Sequence, residues 1–199
     1  MENQLLELIK TRRSCRHYKA EQVSDKELNA VLEAGEYAPT GHGLQDPIIV
    51  AVQNNDIKAQ LARLNAQIMG VDSNPYYDAP TYLLVFSTKD NPNAFQDGSC
   101  VLENMMLAAH ALGLGTCWIN REYQMFQTEE GKRADEGPWS GREIYRYRRT
   151  VFGICIERSS PCSSAQRGKS EDCKVTRLGE YILLGHLNYI TLPFKLYYF

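Results

Sequence analysis

The sequence predicts a layered domain of α+β or α/β class, a sheet packed against helices. Two uninterrupted apolar runs, Pro47 to Val52 (PIIVAV) and Thr81 to Phe86 (TYLLVF), read as central strands covered on both faces. Segments of helical period separate them. The 199 residues, 43% of them hydrophobic, suffice for one domain with a substantial core.

Glu2 to Thr11 sets Leu5, Leu6, Leu8 and Ile9 at helical spacing. A second helix starts at Ser24, where S-D-K-E supplies a capping box before Leu28, Val31 and Leu32, and Pro39 ends it. Asp56 to Met69 alternates Ile57, Leu61, Leu64, Ile68 and Met69 with polar residues, a third helix. A long helix runs from about Phe95 to Leu112, with Val101, Leu102, Met105, Met106, Leu107, Ala109 and Leu112 inward. Gly113 and Gly115 close it before a short strand, Thr116 to Ile119.

Past roughly Lys132 the text changes. Arg133 to Gly179 mixes arginine, serine and cysteine with neither period, and no core face can be drawn through it. Residues 1–131 carry 10 basic and 17 acidic side chains against 12 and 7 for residues 132–199, so the net charge turns from -7 to +5. The division expected is a domain over 1–132 and an atypical C-terminal segment over 133–199.

Composition excludes several functions. A formal net charge of -2 lacks the basic surplus that nucleic acid or an anionic membrane requires. The opening MENQLLELIK is no secretory apolar stretch, and no apolar run reaches the length of a membrane span, so a cytoplasmic location is expected. The six cysteines read as reduced thiols in a chain large enough to fold without a disulfide framework. The four histidines lie far apart, no C-x-x-C or H-E-x-x-H occurs, and no metal is expected.

Three segments could carry chemistry. Arg12, Arg13, Ser14 and Arg16 form a cationic cluster suited to a phosphate or to paired carbonyls, or else simply complement a helix C-terminus. In A-P-T-G-H-G-L-Q-D-P, Gly41 and Gly43 allow close backbone approach to a flat ligand while Thr40 and Gln45 offer hydrogen-bonding groups; an ordinary helix-to-strand turn is the alternative. G-L-G-T-C-W, Gly113 to Trp118, reads as a glycine cap before a strand when taken alone.

Together, R-R-S-x-R, A-P-T-G with Gln45, A-P-T-Y-L-L-V, and L-E-N-M-M-L-A-A-H-A-L-G-L-G-T-C-W resemble, in order and spacing, the short FMN-dependent nitroreductases. The resemblance covers Ile9 to about Phe126. It implies an α+β fold, a mixed sheet flanked by helices in a three-layer sandwich, in a homodimer with two FMN sites at the subunit interface. It implies that Arg12, Arg13, Ser14 and Arg16 hold the ribityl phosphate and pyrimidine edge, and that Pro39, Thr40, Gly41 and Gln45 lie near the flavin. It further implies that Asn65 reaches the ring's polar edge or the ribityl chain, and that Gly115 and Thr116 lie along the isoalloxazine face. Gly43 stands where the family carries Asn, at the cost of one polar contact.

The activity implied is hydride transfer from NADH or NADPH through FMN to a nitroaromatic, quinone or similar flat acceptor in one shared slot, with no protein nucleophile. Cys117 and His110 then read as core or satisfied helix residues. A catalytically impaired flavin-binding or structural relative is the alternative.

The tail departs from that family. Nothing from Arg133 onward matches its Gly-rich turn, last core strand and basic Pro-rich ending, so a central strand is expected to be missing. Tyr181 to Tyr198, β-prone and nearly uncharged, is a candidate replacement strand or equally a candidate aggregating segment. Codons compatible with Arg133 to Thr176, read one nucleotide later, can spell an amphipathic start, a G-x-G turn, an apolar strand and a P-P-R-K ending. A frame shift near Lys132 is one account of the tail, and a divergent but genuine segment is the other. The gene's nucleotide sequence decides: codons unable to yield that shifted string eliminate the first account.

Overall fold

The computed structural model describes residues 3–134, 152–158, 173–177 and 180–184. Its centre is the pair of apolar runs. Strand β1 (Ile48–Val52) and strand β2 (Thr81–Phe86) are buried along their whole length and pair antiparallel, with Ile48 opposite Phe86 and Val52 opposite Tyr82. Strands β3 (Leu114–Ile119), β4 (Phe152–Arg158), β5 (Cys173–Arg177) and β6 (Glu180–Leu184) complete a sheet of order β3-β4-β2-β1-β5-β6. All of these ladders are antiparallel, and the parallel element of the sheet is a bridge from Ser14 to Thr116 of β3.

Successive strand residues point to opposite faces, and both faces are covered. Ile48, Val50, Val52, Tyr82, Leu84 and Phe86 meet Leu61 and Leu64 of one helix (α3, Asn55–Met69) together with Tyr76 and Met125. Ile49, Ala51, Leu83 and Val85 meet Leu28, Val31 and Leu32 of a second (α2, Asp25–Glu36), and Val101, Leu102 and Met105 of a third (α4, Ala94–Ala111). The result is the expected three-layer sandwich. A short first helix (α1, Gln4–Thr11) buries no residue of its own.

The local signals act as read. Ser24 accepts from the Glu27 amide at 3.4 Å while the Ser24 amide donates to Glu27 Oε2 at 3.1 Å, closing the capping box of α2. That helix ends at Glu36, ahead of Pro39, and α3 ends at Gly70 in the left-handed region (φ 71°). Gly35 permits close packing of α2, since a Cβ there would stand 2.7 Å from Ile49 Cδ1 and 2.9 Å from Met105 Cγ.

One reading is corrected. Residues 152–158, within the stretch through which no core face was drawn, form β4, which pairs with β2 on one side and β3 on the other. Phe152, Ile154 and Ile156 alternate at period two, but the run is short and flanked by arginines, so pairing with distant strands defines it better than its own sequence does. Ile156 is fully buried. The central position expected to be empty is therefore filled. Of the candidate replacement run, residues 181–184 form most of β6 at the sheet's far edge, and the remainder lies outside the described residues.

Leu102, fully buried between α4 and the sheet, tests this core. Leu102→Ala is expected to lower the unfolding free energy by about 2–5 kcal/mol in a urea titration. An unchanged midpoint would refute the assigned packing.

Candidate functional site

The N-terminal segment is folded onto the edge of the sheet. Helix α1 ends because Arg12 turns extended (φ -55°, ψ 133°), its amide still donating to Leu8 O at 3.0 Å. The Thr11 hydroxyl meets His110 Nε2 at 3.0 Å and ties α1 to α4. Ser14 then bridges Thr116 in parallel, and the Cys15 amide donates to Thr116 O at 2.8 Å. Two motifs about a hundred residues apart, R-R-S-C-R and G-L-G-T-C-W, thus lie side by side.

The three arginines do different things there. Arg13 folds back and its Nη1 donates to Lys10 O and Arg12 O, each at 2.7 Å, which is the helix-capping role. Arg16 reaches the Tyr77 hydroxyl, the main cause of a guanidinium pKa above its ordinary value. Tyr77 is delivered by a turn in which Tyr77 and Asp78 both take positive φ (55° and 56°), pinned by Asn74 at the Tyr76 amide and Asp78 Oδ1. Arg12 is half-buried, and its Nη1 is buried without a hydrogen-bond partner among the described residues. Burial pushes the Cys117 thiol up, although Arg16, Ser14 and Arg12 all pull it down.

The A-P-T-G segment is anchored elsewhere, on the start of α4. The Gly41 amide donates to Asp97 Oδ1 at 2.8 Å, and a Cβ at Gly41 would lie 2.2 Å from Asn93 Nδ2. Thr40 Oγ1 accepts from the Gln45 amide at 3.0 Å, and His42, Gly43 and Gln45 all take positive φ. The cost of that backbone is met by Asp46, which accepts from the Thr88 amide and Asn91 Nδ2, each at 3.0 Å, and from Ser87. Burial alone would raise the Asp46 carboxyl; the three donors outweigh it and hold the pKa below its ordinary value. Pro39 and Gln45 are exposed.

Asn65 is not a solvated helix residue. It is fully buried; its Nδ2 donates to Asn120 O at 2.9 Å and its Oδ1 accepts from Arg121 Nε at 2.9 Å. Arg121 itself sits at φ 84°, a strained conformation for a residue with a side chain, at the end of β3. The structure therefore brings Arg12, Arg13, Ser14, Arg16, Gly115 and Thr116 together, ties the 39–45 loop to α4, and makes Asn65 the seat of Arg121. Among the described residues no cluster of His, Cys, Asp and Glu could hold a metal, and no helix is long and apolar enough to cross a membrane.

The sequence profile of the nitroreductase family matches residues 9–122. The chain belongs to the nitroreductase family. A Methanothermobacter thermautotrophicus protein named "Putative NADH dehydrogenase/NAD(P)H nitroreductase" is 30% identical over 133 residues, 65% of this chain and 66% of that one. A Staphylococcus haemolyticus NADPH-dependent oxidoreductase is 28% identical over 142 residues, 60% of this chain and 54% of that one. The chain thus spans less than two thirds of the length of these curated relatives. Among solved structures, a nitroreductase with bound FMN from Bacteroides fragilis shares 28% identity with a TM-score of 0.70, covering 85% of this chain and 96% of that one. A nitroreductase family protein from Clostridium difficile gives 27% and 0.59, covering 81% and 88%.

Several residues that shape this candidate site escaped sequence reading. Tyr77 and Arg121 depend on positive φ at residues that do not advertise it. Asp46 and Asp97 act on loop geometry through contacts 42 and 56 residues away in sequence. Glu122 had a signal, a carboxylate between an apolar strand and Met125, but nothing marked it as inaccessible. It is fully buried, neither carboxylate oxygen has a hydrogen-bond partner among the described residues, and burial pushes its pKa to about 8. Its own backbone amide, the nearby Tyr76 hydroxyl and Arg121 offset only part of that rise.

A carboxyl whose folded-state pKa lies above its ordinary 4.5 binds more protons folded than unfolded, so its contribution to stability falls as pH rises from 4.5 to about 8 and is level beyond. Glu122→Gln should remove that slope. Urea titrations across this range are expected to show the variant gaining on the parent by on the order of 4 kcal/mol at the alkaline end. Parallel profiles would show that Glu122 does not titrate in this way.

Proposed function

We propose that this chain is an FMN-dependent NAD(P)H oxidoreductase acting on a flat acceptor such as a nitroaromatic or quinone. The observation that carries the reading is Arg12 Nη1, a buried donor without a partner among the described residues, two residues from the Ser14–Thr116 bridge. A buried guanidinium donor in that state suits an anionic ligand, and a flavin phosphate or pyrimidine edge supplies one. Residues 14 and 115–116 add a hydroxyl and a narrow, glycine-bearing backbone beside it.

Bound there, FMN would supply hydride acceptance from a nicotinamide and hydride delivery to an acceptor. The protein's part is electrostatic and positional. Arg12 and Arg16 hold negative charge, with Arg16 near the Tyr77 hydroxyl; Arg121, fixed by Asn65, adds positive charge at the end of β3. Asn65 acts through Arg121 in this reading. The 39–45 loop, with exposed Pro39, Leu44 and Gln45 and adjacent Tyr37 at 80% exposure, faces outward and would complete the site across a homodimer interface.

Purified protein titrated with FMN should show bound-flavin absorption that bleaches under anaerobic NADH or NADPH. Arg12→Ala is expected to weaken FMN binding about tenfold to a hundredfold, the loss of one charge-assisted hydrogen bond. A folded protein that takes up no FMN would favour the impaired relative, and an unchanged affinity in the variant would remove Arg12 from the site.

A further inference from the structure

The parallel bridge that builds the site also sets two cysteines side by side. With Ser14 opposite Thr116, the next residues in register are Cys15 and Cys117. Neighbouring positions in a parallel pairing point to the same face, with backbones about 5 Å apart, inside the Cα separation that a disulfide accepts. Both residues lie against one apolar cluster, and each thiol now donates to a carbonyl: Cys15 Sγ to His17 O at 3.1 Å and Cys117 Sγ to Trp118 O at 3.6 Å. Each thiol also lies within the other's electrostatic reach. Rotation about χ1 on both sides is the movement needed for them to meet.

We propose that Cys15 and Cys117 are a redox-active dithiol that hydrogen peroxide converts to a disulfide, locking the arginine-bearing segment onto β3. Cys15 is half-buried and reacts first, whereas Cys117 is buried. The Cys15 thiolate attacks one peroxide oxygen, the O–O bond breaks, and the departing hydroxide takes up a proton to leave as water. Cys15 is now a sulfenic acid. Cys117 Sγ then attacks Cys15 Sγ, the S–O bond breaks, and the second hydroxide leaves with the Cys117 proton as a second water. Two thiols are oxidised by two electrons and one peroxide is reduced.

Two other cysteines are placed differently. Cys100 lies on α4 against the opposite face of the sheet. Cys155 is the register partner of Cys117 on β4, an interior strand, whereas β3 is an edge strand and Cys15 sits along that edge. Peroxide therefore reaches the row from the Cys15 side. The inference is independent of the flavin reading, since it needs only the register and the exposure of the two residues.

The test uses the native full-length chain, treated with one equivalent of hydrogen peroxide per chain, then alkylated, digested without reduction and analysed by peptide mass spectrometry. The expected result is a Cys15–Cys117 linked peptide lighter by two hydrogens than its two parts, lost on treatment with dithiothreitol and absent from Cys15→Ser. Circular dichroism confirms that this half-buried variant folds. Recovery of both cysteines as separate alkylated or over-oxidised residues overturns the proposal. So does a Cys117–Cys155 link in its place, or a link that appears only after denaturation.

Discussion

The hydrogen bond from the Cys15 amide to Thr116 O is the constraint on which the site depends. It is one bond, worth about 1 kcal/mol net, yet it registers the whole N-terminal segment against β3. From it follow the position of Arg12, the approach of Arg16 to Tyr77, and the juxtaposition of Ser14 with Thr116. The helix before it buries no residue and so cannot hold that register by packing. Its anchor is the Thr11–His110 pair, with the bridge itself.

A second constraint is the treatment of polar groups behind the site. Asp46 gathers donors from Ser87, Thr88 and Asn91, and Asn91 also donates to Asp97, which in turn receives the Gly41 amide. The network is closed, and it converts a glycine-rich turn into a fixed shape. Glu122 is the opposite case. Its carboxylate oxygens have no hydrogen-bond partner among the described residues, and burial raises its pKa, which favours the protonated acid over the paired anion.

The strands at Ile48–Val52 and Thr81–Phe86 and the helices α2, α3 and α4 were legible because their apolar periodicity is local and strong. The juxtaposition of Ser14 with Thr116 was legible only through the resemblance, since no local pattern encodes a bridge across a hundred residues. Strand β4 was not legible: its five apolar or small residues acquire meaning when β2 and β3 flank them. Asn65 illustrates a finer limit. Its presence in a helix could be read, but which partners its amide would find depends on Asn120 and Arg121, and Arg121 depends on a backbone angle that its side chain disfavours.

The place of β4 bears on how the chain assembles. Strands β2 and β3 lie two positions apart in the sheet, and the strand between them is the last of the three to be synthesised. Until it arrives, each presents an open ladder of amides and carbonyls, and the site-bearing edge has no support from the central pair. Completion of the sheet is thus a late, long-range event, slowed by the entropy of closing a large loop. A ribosome-bound chain of this protein must shield those two edges for the time it takes to make roughly thirty further residues, on the order of seconds.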